Sequence, residues 1–245
     1  MRLDLPFDPL ERSAHVESVV MRDGKRLYHR FRPAPYYGGI ATADAVGCSF
    51  LCAYCWNYLR NLNPGQFREF CFPHRVATRL LHIAQQRSFR LFRITGAEPL
   101  LGERSLDHLV EVLQLIFQAR PGSVFILETN GFFLGHRPDL IQKLDFESLR
   151  IRVCLKGTDE ESFELITGAK RENFEYPFKA LKGLEQRGIK AWPALMEDLF
   201  LPDDIDRFEK RLQENGISAQ LELEQLEDYP FVLENLRKRG VPIKR

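Results

Sequence analysis

Residues 40–56 read IATADAVGCSFLCAYCW: a short apolar run, a glycine, then Cys48, Cys52 and Cys55 spaced C-x3-C-x2-C. The run has the length of a buried strand. Three cysteines crowded directly after it suit a metal site in a reducing compartment better than a disulfide framework. Thiolates are soft, charged donors. Three on one loop can hold three irons of a cubane and leave the fourth open to the amino and carboxylate groups of a small molecule. Zinc is the competing chemistry. Cys52, Cys55, Cys71 and His74 spell C-x2-C-x15-C-x2-H, a zinc-knuckle spacing that leaves Cys48 without a role.

Outward from this stretch a regular alternation begins. Apolar runs at 40–46, 90–95, 123–128, 150–155, 189–196 and 219–224 predict six strands. Between them lie residues at helical spacing. Leu106, Leu109, Val110, Leu113, Ile116 and Phe117 form one apolar face; Leu80, Ile83 and Ala84 form another, with Pro73 as an early helical residue. Thr158, with Glu161 three residues on, is the expected cap of a helix through Phe163 and Ile166. Phe178, Leu181 and Leu184 precede Gly188 as a stop, and Ile205, Phe208 and Leu212 follow Pro202. Six β-then-α units imply a parallel α/β sheet covered by helices, curved into an incomplete barrel with its chemistry at the carboxyl ends of the strands.

The expected organisation is an N-terminal extension over 1–35, a barrel over 36–225, and a C-terminal helix with a basic tail over 226–245. Within the extension, Val19-Val20-Met21 and Leu27-Tyr28 flank Arg22-Asp23-Gly24-Lys25 as a hairpin, since Asp-Gly is a strong two-residue turn signal. The basic runs Lys25–Arg32 and Arg237–Arg245 are expected on solvated surface, the first as an exposed strand. Net charge is +1, from 35 basic and 34 acidic side chains. No global field therefore recruits nucleic acid or an anionic membrane, and neither is expected as a partner. No apolar stretch reaches the roughly 20 residues of a membrane span, and the N-terminus lacks the features of a secretory signal, so a cytoplasmic location is expected.

Four motifs, each at the end of a successive predicted strand, together resemble the radical S-adenosylmethionine (SAM) superfamily. The first is Cys48-x3-Cys52-x2-Cys55 with Tyr54 before the last cysteine. The second, Thr95-Gly96-Ala97-Glu98-Pro99, is similar to the superfamily's Gly-Gly-Glu-Pro, with Ala97 for the second glycine. Ile126-Leu127-Glu128-Thr129-Asn130-Gly131 resembles its Asp/Glu-Thr-Asn-Gly. Val153-Cys154-Leu155-Lys156 resembles the Asp-x-Lys of the activating enzymes for glycyl radical enzymes, such as that of pyruvate formate-lyase, with Cys154 for the aspartate.

The resemblance implies a partial (β/α)6 TIM-like barrel of the radical SAM type with a short N-terminal extension. It implies a [4Fe–4S] cluster on Cys48, Cys52 and Cys55. It implies S-adenosylmethionine held by Thr95, Gly96, Ala97 and Glu98 at the methionine ammonium, and by Glu128, Asn130 and Lys156 near carboxylate and ribose. Trp192, Pro193, Ala194, Leu195 and Met196 reach the same rim, and Arg93 points to the mouth or outward. The implied activity is reductive cleavage of SAM to a 5′-deoxyadenosyl radical that abstracts hydrogen from an unidentified substrate, with a reductant such as flavodoxin or ferredoxin. Two alternatives stay open: an activase that makes a glycyl radical on a partner protein, and a zinc-stabilised, non-catalytic binding module.

Overall fold

The six apolar runs all become strands of one sheet. The computed structural model describes residues 4–66 and 69–245. In chain order the strands are β1 Met21–Arg22, β2 Lys25–Ala34, β3 Ile40–Ala45, β4 Glu69–Cys71, β5 Leu91–Thr95, β6 Val124–Thr129, β7 Leu149–Leu155, β8 Ala191–Met196 and β9 Glu222–Glu224. The helices are α1 Pro9–Val20, α2 Tyr58–Leu62, α3 Pro73–Arg87, α4 Glu103–Ala119, α5 Phe132–His136, α6 Glu160–Thr167, α7 Tyr176–Gln186, α8 Pro202–Glu214 and α9 Pro230–Arg239. The sheet runs β1-β2-β3-β5-β6-β7-β8-β9, with β4 paired to β2 off that path. The six strands from β3 to β9 on this path pair in parallel, and β2 joins β3 antiparallel. The sheet is not closed. It is the partial α/β barrel that the alternation predicts.

Periodicity explains why the helices cover it. Leu106, Leu109, Leu113 and Ile116 of α4 are buried, as are Val76, Leu80 and Ala84 of α3. These faces meet strands that are buried as near-continuous apolar runs, as expected where a parallel sheet is covered by helices. An aromatic chain continues the core toward the upper end. Phe50 packs on Phe132 and Phe163, and Phe163 leads through Phe174 to Phe178, with centroids 5.1–5.9 Å apart.

The N-terminal part departs from expectation. The Asp23-Gly24 turn forms, with φ of 50° and 73°, but Val19 and Val20 end helix α1 instead of forming a strand. Asp8 caps that helix by accepting from the Leu10 and Glu11 N–H groups, and Pro9 stands where a missing N–H costs nothing. The run Lys25–Arg32 is not an exposed strand either. It lies between neighbours in the sheet, and Arg26, Leu27 and Tyr28 are buried. The Arg26 guanidinium donates to the backbone carbonyls of Val46 and Glu98, which is what allows a charge there. Helix α6 is capped by Asp159, which accepts from Ser162 N–H at 2.7 Å, and not by Thr158: aspartate presents a charged acceptor at a helix start.

Candidate active site

The cysteine loop leaves β3 and is held from several directions. Gly47 N–H donates to the Asn61 side chain at 3.1 Å, and its carbonyl accepts from Glu98 N–H at 3.2 Å. Arg12 of α1 donates to the carbonyls of Cys48 (3.1 Å) and Asn61 (2.8 Å). Leu51 and Ala53 donate to the last carbonyls of α6, Thr167 and Ile166, at 3.0 and 2.8 Å. Phe50 is the apolar anchor in the aromatic chain. Many independent contacts thus fix the loop in one shape, as a site on a rigid support requires.

The three thiols border one cavity of about 570 Å³ at the carboxyl ends of the strands. Each sulfur has its own surroundings. Cys48 Sγ accepts from Phe50 N–H at 3.4 Å and Cys55 Sγ from the Asn61 amide at 3.6 Å. Burial pushes all three thiols up, Cys52 to about 12. Buried thiols of this kind stay protonated until a cation compensates the charge, which is the behaviour of metal ligands before metal arrives. Among the described residues, no three His, Cys, Asp or Glu side chains converge on a point that one ion could occupy. A cubane instead spreads its thiolates over separate irons, so three thiols around a hollow fit the cluster. The zinc-knuckle expectation fails on the same geometry. Cys71 is buried on β4 beside the Glu69 carbonyl, and His74 stacks on Phe72; neither borders the cavity.

The strand-end motifs meet around that hollow. Thr95, Gly96, Ala97, Glu98, Glu128, Asn130, Cys154 and Lys156 all border it. Gly96 takes φ +83°, a conformation that favours glycine, while Ala97 keeps an ordinary negative φ, so the missing second glycine costs the turn nothing. The Gly96 carbonyl accepts from Asn57 at 2.5 Å and faces Asn61 at 3.5 Å. Glu98 is buried and engaged. One oxygen accepts from Leu100 N–H (2.9 Å) and the Thr129 hydroxyl (2.7 Å), the other from Asn130 N–H (2.7 Å). Burial raises its carboxyl to about 7 despite those bonds. It ties the end of β5 to the end of β6.

Asn130 donates from its side chain to Ser49 Oγ at 2.8 Å, linking the third motif to the cysteine loop. Arg93 points inward: it donates to Thr42 (3.0 Å) and pairs with Glu128 at 2.7 Å, while Thr95 donates to the same carboxylate. Lys156 lies 5.3 Å from the centre of the Tyr54 ring. Burial opposes its charge, but Tyr54, Cys154, Cys52 and Glu224 outweigh that and hold the ammonium well above the ordinary lysine value. The buried Tyr54 hydroxyl has no hydrogen-bond acceptor among the described residues, only the Lys156 ammonium facing it, so its O–H can donate to a guest. A cavity of this size, with a cation and an unpaired donor at one end and three thiols beside them, fits a cluster and a nucleoside-sized sulfonium.

Of the β8 run, only Met196 borders the cavity; Trp192 donates to Glu222 and Pro193, Ala194 and Leu195 are buried. Cys154 accepts from Arg152 at 3.2 Å, so a thiol stands where a carboxylate was expected and the arginine is satisfied by Glu222 and Glu224 instead, at 3.0 and 2.9 Å. Sequence reasoning did not find Asn57, Asn61, Arg152 or Glu222, nor Arg30, Arg32 and Asp44 on the opposite wall. Arg30 and Arg32 carried a signal, since alternate residues of a strand share a face. The asparagines carried none, because their partners are distant in sequence.

Comparison with known proteins agrees with this geometry. The family model described as the radical SAM superfamily matches residues 44–220. GTP 3′,8-cyclase of Microcystis aeruginosa is 25% identical over 143 residues, 58% of this chain and 42% of that one. The GTP 3′,8-cyclase of Nostoc sp. is 29% identical over 122 residues, 50% of this chain and 35% of that one. This chain thus matches less than half the length of these curated relatives. Among solved structures, Streptococcus suis SuiB bound to S-adenosylmethionine superposes with a TM-score of 0.59 at 16% identity, over 80% of this chain and 44% of that one. Native anSMEcpe with bound AdoMet gives 0.55 at 14%, over 76% and 53%. At such identities these likenesses establish the fold. No helix among the described residues is long and apolar enough to cross a membrane. The chain belongs to the radical SAM superfamily, enzymes that use a [4Fe–4S] cluster and S-adenosylmethionine.

Proposed function

We propose that the chain reductively cleaves S-adenosylmethionine and takes a hydrogen atom from a substrate held in the same cavity. The observation that carries this reading is the convergence of three thiols and three strand-end motifs on one hollow. When bound, the cluster would relay an electron from the reductant and SAM would supply the 5′-deoxyadenosyl radical, chemistry no side chain can perform.

The chain's own part is positioning and exclusion of water. Cys48, Cys52 and Cys55 hold the cluster, on a loop fixed by Arg12, Asn61 and Phe50. The Thr95–Ala97 turn offers backbone to the methionine ammonium, with Glu98 shaping the turn from behind. Glu128, Asn130 and Lys156 face the carboxylate and ribose end, where Lys156 brings charge and Tyr54 a donor. A reductant of the flavodoxin or ferredoxin type supplies the electron. Residues 36–225 carry this machinery, and the segments before and after it complete the walls.

The test is anaerobic reconstitution, followed by dithionite reduction with SAM and assay of 5′-deoxyadenosine. About four irons and four sulfides per chain, with product lost in Cys52→Ala, is the expected result. A chain that binds zinc, refuses iron and makes no 5′-deoxyadenosine refutes the proposal.

A further inference from the structure

We propose that Arg30 and Arg32, held side by side on the buried carboxylate of Asp44, form the site that grips an anionic group of the substrate, a carboxylate or a phosphate. The inference rests on reading the cavity as the reaction chamber. It adds the chemical class of what enters.

Both arginines lie on β2, outside the segment that the family model matches. They are two residues apart and so share a face, and that face borders the cavity. A register shift between Tyr28 and Arg30 sets Arg30 opposite Asp44 on β3, with Arg32 opposite Thr42. Asp44 is fully buried between them. Arg30 donates its Nε to Asp44 Oδ2; Arg32 donates Nε to the same oxygen at 2.8 Å and Nη2 to Oδ1 at 3.2 Å. The remaining N–H groups of both forks have no protein acceptor among the described residues.

The charge balance is uneven across the cavity. Arg93 is offset by Glu128, and Arg152 by Glu222 and Glu224. Arg30 and Arg32 have one carboxylate between them, and no other acid lies within ion-pair distance of either among the described residues. If the pair served only to neutralise Asp44, one guanidinium would suffice. The second leaves a net positive charge, and the side chains are 47% and 25% exposed, open to a ligand yet braced from behind. The opposite wall sets Glu222, Glu224 and Glu227 against Arg152 and Lys156, a net negative balance, so an anion is steered toward β2.

Position fits the chemistry. Arg30 lies 5.8 Å from the Trp56 ring, and Trp56 directly follows the last cysteine. An anion gripped by the two forks therefore has its carbon skeleton next to the cysteine loop. Guanidinium forks bind carboxylate and phosphate in two-point fashion, and here their rotamers are already set by Asp44, so little freedom is lost on binding.

The experiment uses cluster-loaded protein saturated with SAM, so that the methionine carboxylate already has its own site. Pyrophosphate and glutarate are titrated calorimetrically into wild type, Arg30→Gln, Arg32→Gln, Arg30→Lys and, as control, Arg171→Gln on the outer surface. We expect one-to-one binding of one probe, weakened at least tenfold in each glutamine variant, less in Arg30→Lys, and unchanged in Arg171→Gln. Which probe binds separates phosphate from carboxylate. Should Arg32→Gln fail to fold, Arg30→Gln, which removes a single bond from a half-exposed side chain, decides alone. Failure of both probes to bind, or equal binding by wild type and glutamine variants, overturns the proposal. Heat is read independently of 5′-deoxyadenosine. Probe binding without SAM cleavage sinks the functional reading, whereas SAM cleavage without probe binding sinks this one.

Discussion

Replacing Glu98 by glutamine tests whether this residue braces the cavity from behind. The native carboxylate is buried and accepts from Leu100 N–H, Thr129 Oγ1–H and Asn130 N–H. Its carboxyl is raised from 4.5 to about 7, chiefly by burial. The native chain therefore keeps a proton between those values that the unfolded chain has released, and stability falls as pH rises through that window. At about 1.4 kcal/mol for each tenfold change in proton affinity, the loss is at most about 3 kcal/mol. Glutamine cannot ionise, so its contribution is flat with pH. It also turns an amide N–H toward Asn130 N–H or Thr129, leaving a buried donor unsatisfied at a cost of about 1–3 kcal/mol. The variant should be less stable than wild type near pH 5, with the gap closing or reversing near pH 8. Chemical denaturation followed by circular dichroism under reducing, anaerobic conditions measures this. Parallel curves across that range refute the assignment of a retained, buried proton to Glu98.

Other substitutions probe the remaining walls. Asn61→Asp keeps the acceptor for Gly47 N–H but replaces the amide that donates to Cys55 Sγ with a charge; the cluster potential in a spectroscopic redox titration should fall, and an unchanged midpoint contradicts the sulfur contact. Lys156→Met removes the ammonium beside Tyr54 and should weaken SAM binding about tenfold or more in equilibrium dialysis, the scale of one charge-assisted hydrogen bond. Gly135→Ala sets a methyl 1.8 Å from the Tyr176 carbonyl, which forces α5 off α7. A loss of about 3 kcal/mol, or about 6–12 °C in a thermal melt, is expected, and an unchanged melt shows that the two helices yield freely.

The parallel core was legible because most of its strands carry a short apolar run, as β6 and β8 do, and because helices with one apolar face separate them. The cysteine spacing, Gly96 and Asn130 were legible for a different reason: each needs a particular residue at a particular place in a turn. What was not legible follows from contacts distant in sequence. Val19 and Val20 read as strand because they flank the Asp23-Gly24 turn, yet Val16 and Val20, four apart on α1, pack over Gly47. The better signal was Asp8-Pro9, a helix start. β4 has three residues and exists because β2 offers it an edge. Glu98 borders the cavity, and its bonds to Thr129 and Asn130, thirty residues on, could not be read from the motif. Arg30 and Arg32 were hidden inside a charge run whose ordinary meaning is solvated surface.

The two sides of the cavity differ in how firmly they are built, and the difference matches their tasks. On the cysteine side, the loop is held by α1, by α6 and by the turns after β5 and β6, all through buried or partly buried bonds. Loosening it means breaking several at once. Across the opening, the turn between β2 and β3 meets the segment after β9 through Tyr36, whose hydroxyl donates to Glu227 at 3.2 Å with both partners exposed. A single bond of that kind, even to a carboxylate, is worth at most about 1.5–3 kcal/mol. An anion meeting two guanidiniums gains more than this, since it makes several charge-assisted bonds where Tyr36 makes one. Entry of a substrate can therefore part Tyr36 from Glu227 without straining the cysteine loop. On the function proposed above, the fold keeps rigid the part that holds an electron-transfer geometry, and leaves yielding the part that admits and releases a guest.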